Sequence, residues 1–233
     1  MYKLVLFDKD GTLLNFEKVW LAVGIRFVDD FIEHFNVSED RLTLQRKIGI
    51  DGRKINPNGA LASGTAKSYI KILSQYTQEA SLQTWIDKQM KYYAHQYANR
   101  FEMIEGTDKI IKQLKQDGYM VGMVTNDDLA SSKRFLDQFD LLCYFDILIT
   151  NDSQPHQKPD ARVLIPALKY ARAEEIIMIG DTPSDILFGK QAEVGLTIGV
   201  LSGTGGQSDL KDADLIIESV DAIYKGDYIW KKD

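Results

Sequence analysis

Cys143 is the single cysteine of the chain, so no internal disulfide can form. Histidine is nearly as scarce. His34, His95 and His156 are too far apart in sequence to suggest a Cys/His metal cluster, and each reads as a surface or packing residue. Basic residues are outnumbered, 28 Lys and Arg against 34 Asp and Glu, for a net charge of −6 and a pI near 5.2. A chain without basic excess has no general polyanion-binding face, so no nucleic-acid partner is expected. An anionic ligand would have to be held by local positive charge or a metal. Apolar runs are short. None approaches the roughly 20 residues of a membrane span, and Lys3 and Asp8 interrupt the N-terminus before a signal-like apolar core develops. No membrane partner is expected, and the expectation is a cytoplasmic protein, monomer or homodimer. Repeats and low-complexity segments are absent too.

What remains is an ordinary globular composition, 44% hydrophobic and 27% charged over 233 residues, enough for one filled core with a smaller lobe. Apolar β-rich runs recur at 4–7, 119–124, 145–150, 176–179, 194–201 and 214–217. They are continuous rather than alternating, as in parallel strands covered on both faces. Helical patterns lie between them: TDKIIKQLKQDG with a stop at Gly118, LASSKRFLDQF, PDARVLIPALKYA and PSDILFGKQAE. This alternation predicts an α/β fold with a doubly wound, Rossmann-like parallel sheet.

Residues 16–100 break the rhythm, with several helical stretches and no convincing strand. Trp20, Val23, Phe27, Val28, Phe31, Ile32 and Phe35 fall on one helical stripe, with Arg26, Asp29, Asp30 and Glu33 opposite. That stripe reads as core. Ser38, Glu39 and Asp40 mark a helix start. The expected organisation is an α/β core from 1–15 and 101–233, with an inserted all-helical domain at 16–100. Chain crossings near 14–17 and 100–106 are the expected hinges.

In open parallel sheets, ligands bind beyond the carboxyl ends of the strands. Asp8-Lys9-Asp10-Gly11-Thr12 follows the first strand, and Thr125-Asn126-Asp127-Asp128 the second. A loop with Lys158 follows the third, and Gly180-Asp181-Thr182-Pro183-Ser184-Asp185 the fourth. Singly, each has a plain reading. Asp10-Gly11 makes a turn, Asn126 or Asp128 caps a helix, Thr182 to Asp185 forms an imperfect capping box, and Lys158 is solvated. Together they are harder to dismiss, because two unit charges about 4 Å apart repel by about 4 kcal/mol at an effective dielectric near 20. A hard divalent cation held by oxygen ligands, Mg²⁺ first among them, would relieve that repulsion.

The set resembles the haloacid dehalogenase-like hydrolase superfamily: DxDGT at 8–12, Thr125, Lys158-Pro159, and GDxxxD at 180–185, in family order along nearly the whole chain. The insertion resembles that family's helical cap, in the position and length found in phosphoglycolate phosphatase-like enzymes. The resemblance implies a Mg²⁺-dependent phosphatase acting on a small phosphorylated metabolite. Asp8 would be the nucleophile that forms an aspartyl-phosphate. A carboxylate is already ionised at neutral pH, with an unperturbed pKa of about 3.9, so no separate base would be required for attack. Asp10 would be the acid and base. Mg²⁺ would lie between the Asp8 carboxylate, the Asp10 carbonyl and Asp181, with Asp185 as an outer partner of a metal water or of Lys158. Thr125, the Asn126 amide and Lys158 would cradle the phosphoryl oxygens.

Lys9 departs from the pattern, since phosphatases of this family usually have an apolar residue there. Strand alternation points it away from Asp8, toward a cap interface or the substrate rim. His156, two residues before Lys158, could reach the site, although packing is the simpler reading. Substrate selection is expected from the cap, with Arg46, Lys47, Gly49 and Arg53 and the small-residue stretch 56–65 as candidates. Other readings stay open: a sugar-phosphate mutase, a phosphonatase using Lys47 or Lys54, and a non-catalytic phosphate-binding regulatory module.

Overall fold

The computed structural model describes residues 1–63, 66–96 and 101–231, with the backbone alone at 16–19, 63, 94 and 95. The His95 side chain, the 64–65 end of the small-residue stretch, residues 97–99 and position 100 of the expected second crossing lie outside the described residues.

The chain opens with β1 (Leu4–Phe7). Next come α1 (Phe16–Phe35), α2 (Arg41–Ile48), β2 (Ile50–Asp51), β3 (Lys54–Ile55), α3 (Ala60–Ser63), α4 (Ala66–Leu73) and α5 (Leu82–Gln96). They are followed by α6 (Thr107–Gln116), β4 (Met120–Val124), α7 (Leu129–Gln138), β5 (Ile147–Ile149), β6 (Ile176–Gly180), α8 (Pro183–Gln191), β7 (Leu196–Val200) and β8 (Leu215–Ile217). These elements form two compact units: Met1–Asn15 with Glu102–Asp233, and Phe16–Phe101.

The first unit is built on one six-stranded sheet in the order β5-β4-β1-β6-β7-β8, every neighbouring pair parallel. All four residues of β1 are fully enclosed, which explains its unbroken apolar run. Leu4 and Leu6 join Val124, Met178, Val163, Leu164 and Phe188 in one apolar cluster. α6 and α7 bury Ile110, Ile111 and Leu114, and Phe135 and Leu136. From β1 the chain builds outward to β4 and β5, then returns to the other side of β1 for β6 to β8. Strand order therefore reverses beside β1, where a crevice forms at the carboxyl edge. The predicted strands all form. The predicted helix at PDARVLIPALKYA does not. Ala161–Lys169 is a 3-10 helix, because Pro166 inside it lacks the N–H that an α-ladder needs.

The second unit is mostly helical. Phe27, at the centre of the α1 stripe, packs against Tyr69 and Trp85 with ring centroids 4.8 and 5.3 Å apart, and Phe31 and Phe35 close the cluster. Asp40 caps α2 by accepting from Thr43 N at 2.9 Å, as a helix start at 38–40 predicts. The all-helical expectation needs correction. β2 and β3 form a two-stranded antiparallel hairpin, its strands too short for any alternation to register in sequence. Arg53 sits exposed in the hairpin turn, and Arg46 and Lys47 in the last turn of α2. Gly49 is the left-handed C-cap of α2, with φ +102°, a backbone reason for glycine that needs no substrate. Among the described residues, no helix is long and apolar enough to cross a membrane.

Candidate active site

Asp8 continues β1, its N–H donating to Ile179 O of β6 at 2.8 Å. That backbone bond sets its side chain at the crevice between the two strands. Lys158 Nζ donates to Asp8 Oδ1 at 2.6 Å, to Asp185 Oδ1 at 2.5 Å and to Val124 O at 3.0 Å. All three donor positions of the ammonium are thereby engaged on three different segments of the unit. Asn126 holds the Lys158 backbone from both sides. Its Oδ1 accepts from Lys158 N at 2.9 Å, and its Nδ2 donates to Lys158 O at 3.3 Å. The side chain of Asn126 is thus a clamp on the lysine loop, a role beyond its predicted amide contact.

Asp181 follows β6. Its Oδ2 accepts from Thr204 N at 2.8 Å, and Thr12 Oγ1 lies 3.5 Å from its Oδ1. Asp185 begins α8, where its Oδ2 accepts from Thr182 N at 3.0 Å and Thr182 Oγ1 at 2.6 Å, completing a capping box. Asp185 therefore caps α8 through one oxygen and pairs with Lys158 through the other. Thr125 is buried at the end of β4, its N–H donating to Ile149 O at 2.9 Å and its Oγ1 accepting from Asp127 N at 3.1 Å. Asp128 proves to be the N-cap of α7, accepting from Ser131 N at 2.7 Å. His156 pairs with Asp160 at 3.8 Å, the plain reading of that histidine. Arg46, Lys47, Gly49 and Arg53 belong to the helical unit.

Asp8, Asp181 and Asp185 are all buried, and one oxygen from each lies within 4.8 Å of the others. Three carboxylates face a single ammonium. Burial, with Asp185 and Asp10 adding to it, pushes the Asp8 carboxyl up to about 7 despite the pull of Lys158. Burial and the charges of Asp8 and Asp185 raise Asp181 well above the carboxylate range. Burial works against the charge on Lys158 as well, yet Asp185 and Asp8 hold its pKa above the ordinary lysine value. Burial therefore works against the ionised Asp8 that an ordinary carboxylate pKa implies, and a cation beside it would favour the charged form. The cluster lacks positive charge, and an all-oxygen, buried donor set suits a hard divalent cation. Both Asp185 oxygens accept charge-assisted or short bonds from Lys158 and Thr182. Asp181, by contrast, accepts from the neutral Thr204 and Thr12, and Asp8 is held by Lys158 through Oδ1, so Asp8 and Asp181 are the better placed pair to serve a cation.

One feature went unread in the sequence, and a second was read but misplaced. The loop SGTGG after β7 supplies Thr204, and its Gly203 packs flat on Asp181. A Cβ at Gly203 would overlap the Asp181 carboxylate, as would one at Gly11, whose φ of +87° also demands glycine. This loop follows a strand at the same carboxyl edge, so the rule used for the first four strands would have found it. Gly203→Ala is expected to cost about 1–3 kcal/mol through overpacking, read as a lower urea midpoint, and to reduce turnover by displacing Asp181. An unchanged midpoint would show that the loop does not fix Asp181. The second feature is Lys9. It lies neither at a rim nor on a surface but fully enclosed, paired to Asp127 and, at 3.2 Å, to Asp10 Oδ2.

A family model described as haloacid dehalogenase-like hydrolase matches residues 2–193. Phosphoglycolate phosphatase 1 of Pseudomonas aeruginosa is 29% identical to this chain over 194 residues, 82% of this chain and 67% of that one. Pyrophosphatase PpaX of Bacillus cereus is 26% identical over 81% of this chain and 78% of its own length. Among solved structures, a variant of CbbY from Rhodobacter sphaeroides in complex with xylulose-(1,5)bisphosphate superposes with a TM-score of 0.73, covering 96% of both chains at 16% identity. That last likeness is one of fold.

Proposed function

The chain belongs to the haloacid dehalogenase-like hydrolases, and from that premise we propose that it is a Mg²⁺-dependent phosphatase of small organic phosphate monoesters, phosphoglycolate-like in size. One observation carries the reading: Lys158 bridges Asp8 and Asp185 at the strand-order reversal, with Asp181 beside them. Of the named relatives, the phosphoglycolate phosphatase supports the ester class, and the pyrophosphatase supports phosphate hydrolysis more broadly.

Asp8 attacks phosphorus, the ester P–O bond breaks, and the leaving alkoxide takes a proton from Asp10. Water then attacks the aspartyl-phosphate, giving its proton to Asp10, and the P–O bond to Asp8 breaks to release phosphate. Thr125 and the Asn126 amide hold the phosphoryl oxygens, joined by Lys158 once its hydrogen bond to Asp8 gives way to phosphate, with Asp185 and the Asn126 clamp keeping the lysine in place. Asp8, the Asp10 carbonyl and Asp181 would hold Mg²⁺. The cation supplies positive charge that favours the ionised form of Asp8 and offsets the charge of the incoming phosphate. The helical unit, Phe16–Phe101, is read as the cap, with Arg46, Lys47 and Arg53 as candidates to meet the leaving group.

The test is hydrolysis of p-nitrophenyl phosphate with and without Mg²⁺. Comparison of kcat/KM over phosphoglycolate, sugar phosphates, a nucleotide and pyrophosphate should follow. Mg²⁺-dependent release of phosphate is expected, with a small carboxylated or sugar phosphate preferred. Tight phosphate binding without turnover would favour a regulatory module. Transfer of phosphate within a sugar, rather than to water, would favour a mutase.

A further inference from the structure

Lys9 stands in sequence between the two reactive carboxylates, Asp8 and Asp10. Its side chain is fully enclosed. A buried ammonium loses several kcal/mol of hydration, and an apolar residue of similar length would avoid that loss. Its surroundings supply the reason for a charge. Nζ lies 3.2 Å from Asp10 Oδ2, donates to Asp127 Oδ2, and reaches Ser131 Oγ at 3.4 Å. The Lys9 carbonyl accepts from Leu13 N and Leu14 N, each at 2.9 Å, so the backbone beneath the side chain is fixed as well.

Asp127 is itself a rigid anchor. Its Oδ1 accepts from Asp128 N at 2.8 Å, its N–H donates to Thr125 Oγ1 at 3.1 Å, and its carbonyl accepts from Asn151 N at 2.9 Å. Through Lys9, the loop that ends β4 is therefore tied to the partly exposed Asp10 carboxylate, and the ion pair narrows the rotamers open to it. Both proton transfers need that carboxylate about 2.6–3.2 Å from the atom it serves, and a misplacement of about 1 Å costs up to about 100-fold in rate.

We propose that Lys9 is a positioning residue, holding the Asp10 carboxylate, with Asp127 as its anchor, in the orientation that the water-activation step requires. The inference rests on the division of labour between Asp8 and Asp10 given above. p-Nitrophenolate leaves phosphorus without a proton, so formation of the aspartyl-phosphate does not depend on Asp10, whereas its hydrolysis does. Misplacing Asp10 should therefore stall the enzyme at the phosphorylated stage.

The experiment is pre-steady-state release of p-nitrophenolate, with acid quench and mass spectrometry of the protein, for wild type, Lys9→Met and the double variant Lys9→Met/Asp127→Asn. The double variant removes the buried pair together. Both are expected to show a full burst, a steady-state rate roughly 10–100-fold below wild type, and phosphate on Asp8 in most competent sites. Burst amplitude counts competent sites alone, so partial unfolding lowers amplitude and rate together without raising phosphoenzyme per site. That result, or failure of both variants to fold, would make Lys9 a structural residue and overturn the proposal. Asp10→Asn separates the two readings. If it accumulates phosphoenzyme and the Lys9 variants do not, the Lys9 inference alone falls. If it does not accumulate phosphoenzyme, the Asp8/Asp10 assignment itself is wrong.

Discussion

Asp8→Asn is expected to leave a folded protein with turnover reduced by at least about 10⁴-fold, the scale on which single nucleophiles are lost. The amide matches the carboxylate in shape but has no charged oxygen to attack phosphorus. Lys158 keeps Asp185 and Val124 O as partners, so the ammonium is not stranded. Stability should move the opposite way from activity. Burial raises the Asp8 carboxyl to about 7, above the ordinary value of 3.8, so between these pH values the folded state binds more protons than the unfolded state. Stability then falls as pH rises through that window. In chelator-treated protein, Asp8→Asn removes this dependence. Its melting temperature should exceed wild type at pH 8, with the gap closing toward pH 5. Thermal melts at the two pH values, beside a p-nitrophenyl phosphate assay, check both halves. Near-normal turnover would remove Asp8 as nucleophile, and a lower melting temperature at pH 8 would mean that its pairing with Lys158 outweighs its burial.

That opposition between activity and stability explains what could be read from the sequence. The strands were legible because parallel strands covered on both faces must be apolar throughout, as β1 and β6 are. The acidic strand tips were legible because clustered carboxylates conflict with folding unless something compensates them. Asp8, Asp181, Asp185 and Lys158 do meet. What stayed hidden is what depends on three-dimensional neighbours. Period-2 alternation places Lys9 opposite Asp8 but does not say that Asp127, 118 positions away, waits there. A lysine in a sequence reads as solvated, and only the enclosure shows otherwise. Asn126 was read for its amide, whereas its side chain holds the lysine loop 32 residues on. The β2–β3 hairpin and the 3-10 turn around Pro166 escaped because two residues carry no period, and because an apolar stripe does not distinguish 3.6 from 3.0 residues per turn.

Chelation is expected to abolish phosphatase activity and Mg²⁺ to restore it, but the sharper result is thermal. Binding to the folded state alone stabilises it by about 2.7 kcal/mol when free Mg²⁺ is about 100 times its Kd, so melting temperature should climb with added Mg²⁺. Asp181→Asn separates the ion from the fold. Asp181 is held well above the carboxylate range by burial and by Asp8 and Asp185, so removing its charge relieves repulsion, and the chelated variant should melt at or above wild type at pH 8. The amide retains an acceptor for Thr204 N, leaving the loop after β7 in place, but it offers a divalent ion a neutral oxygen where a charged one stood. The rise with Mg²⁺ should therefore shrink to little or nothing, and turnover with it. A variant that keeps the full rise would place the cation away from Asp181. A variant that melts well below wild type without metal would show that Asp181 serves the fold before it serves the ion. The two carboxylates assigned to the cation would then be in different positions, Asp8 a burden on the fold and Asp181 a support. Only the first would need a cation to be tolerated.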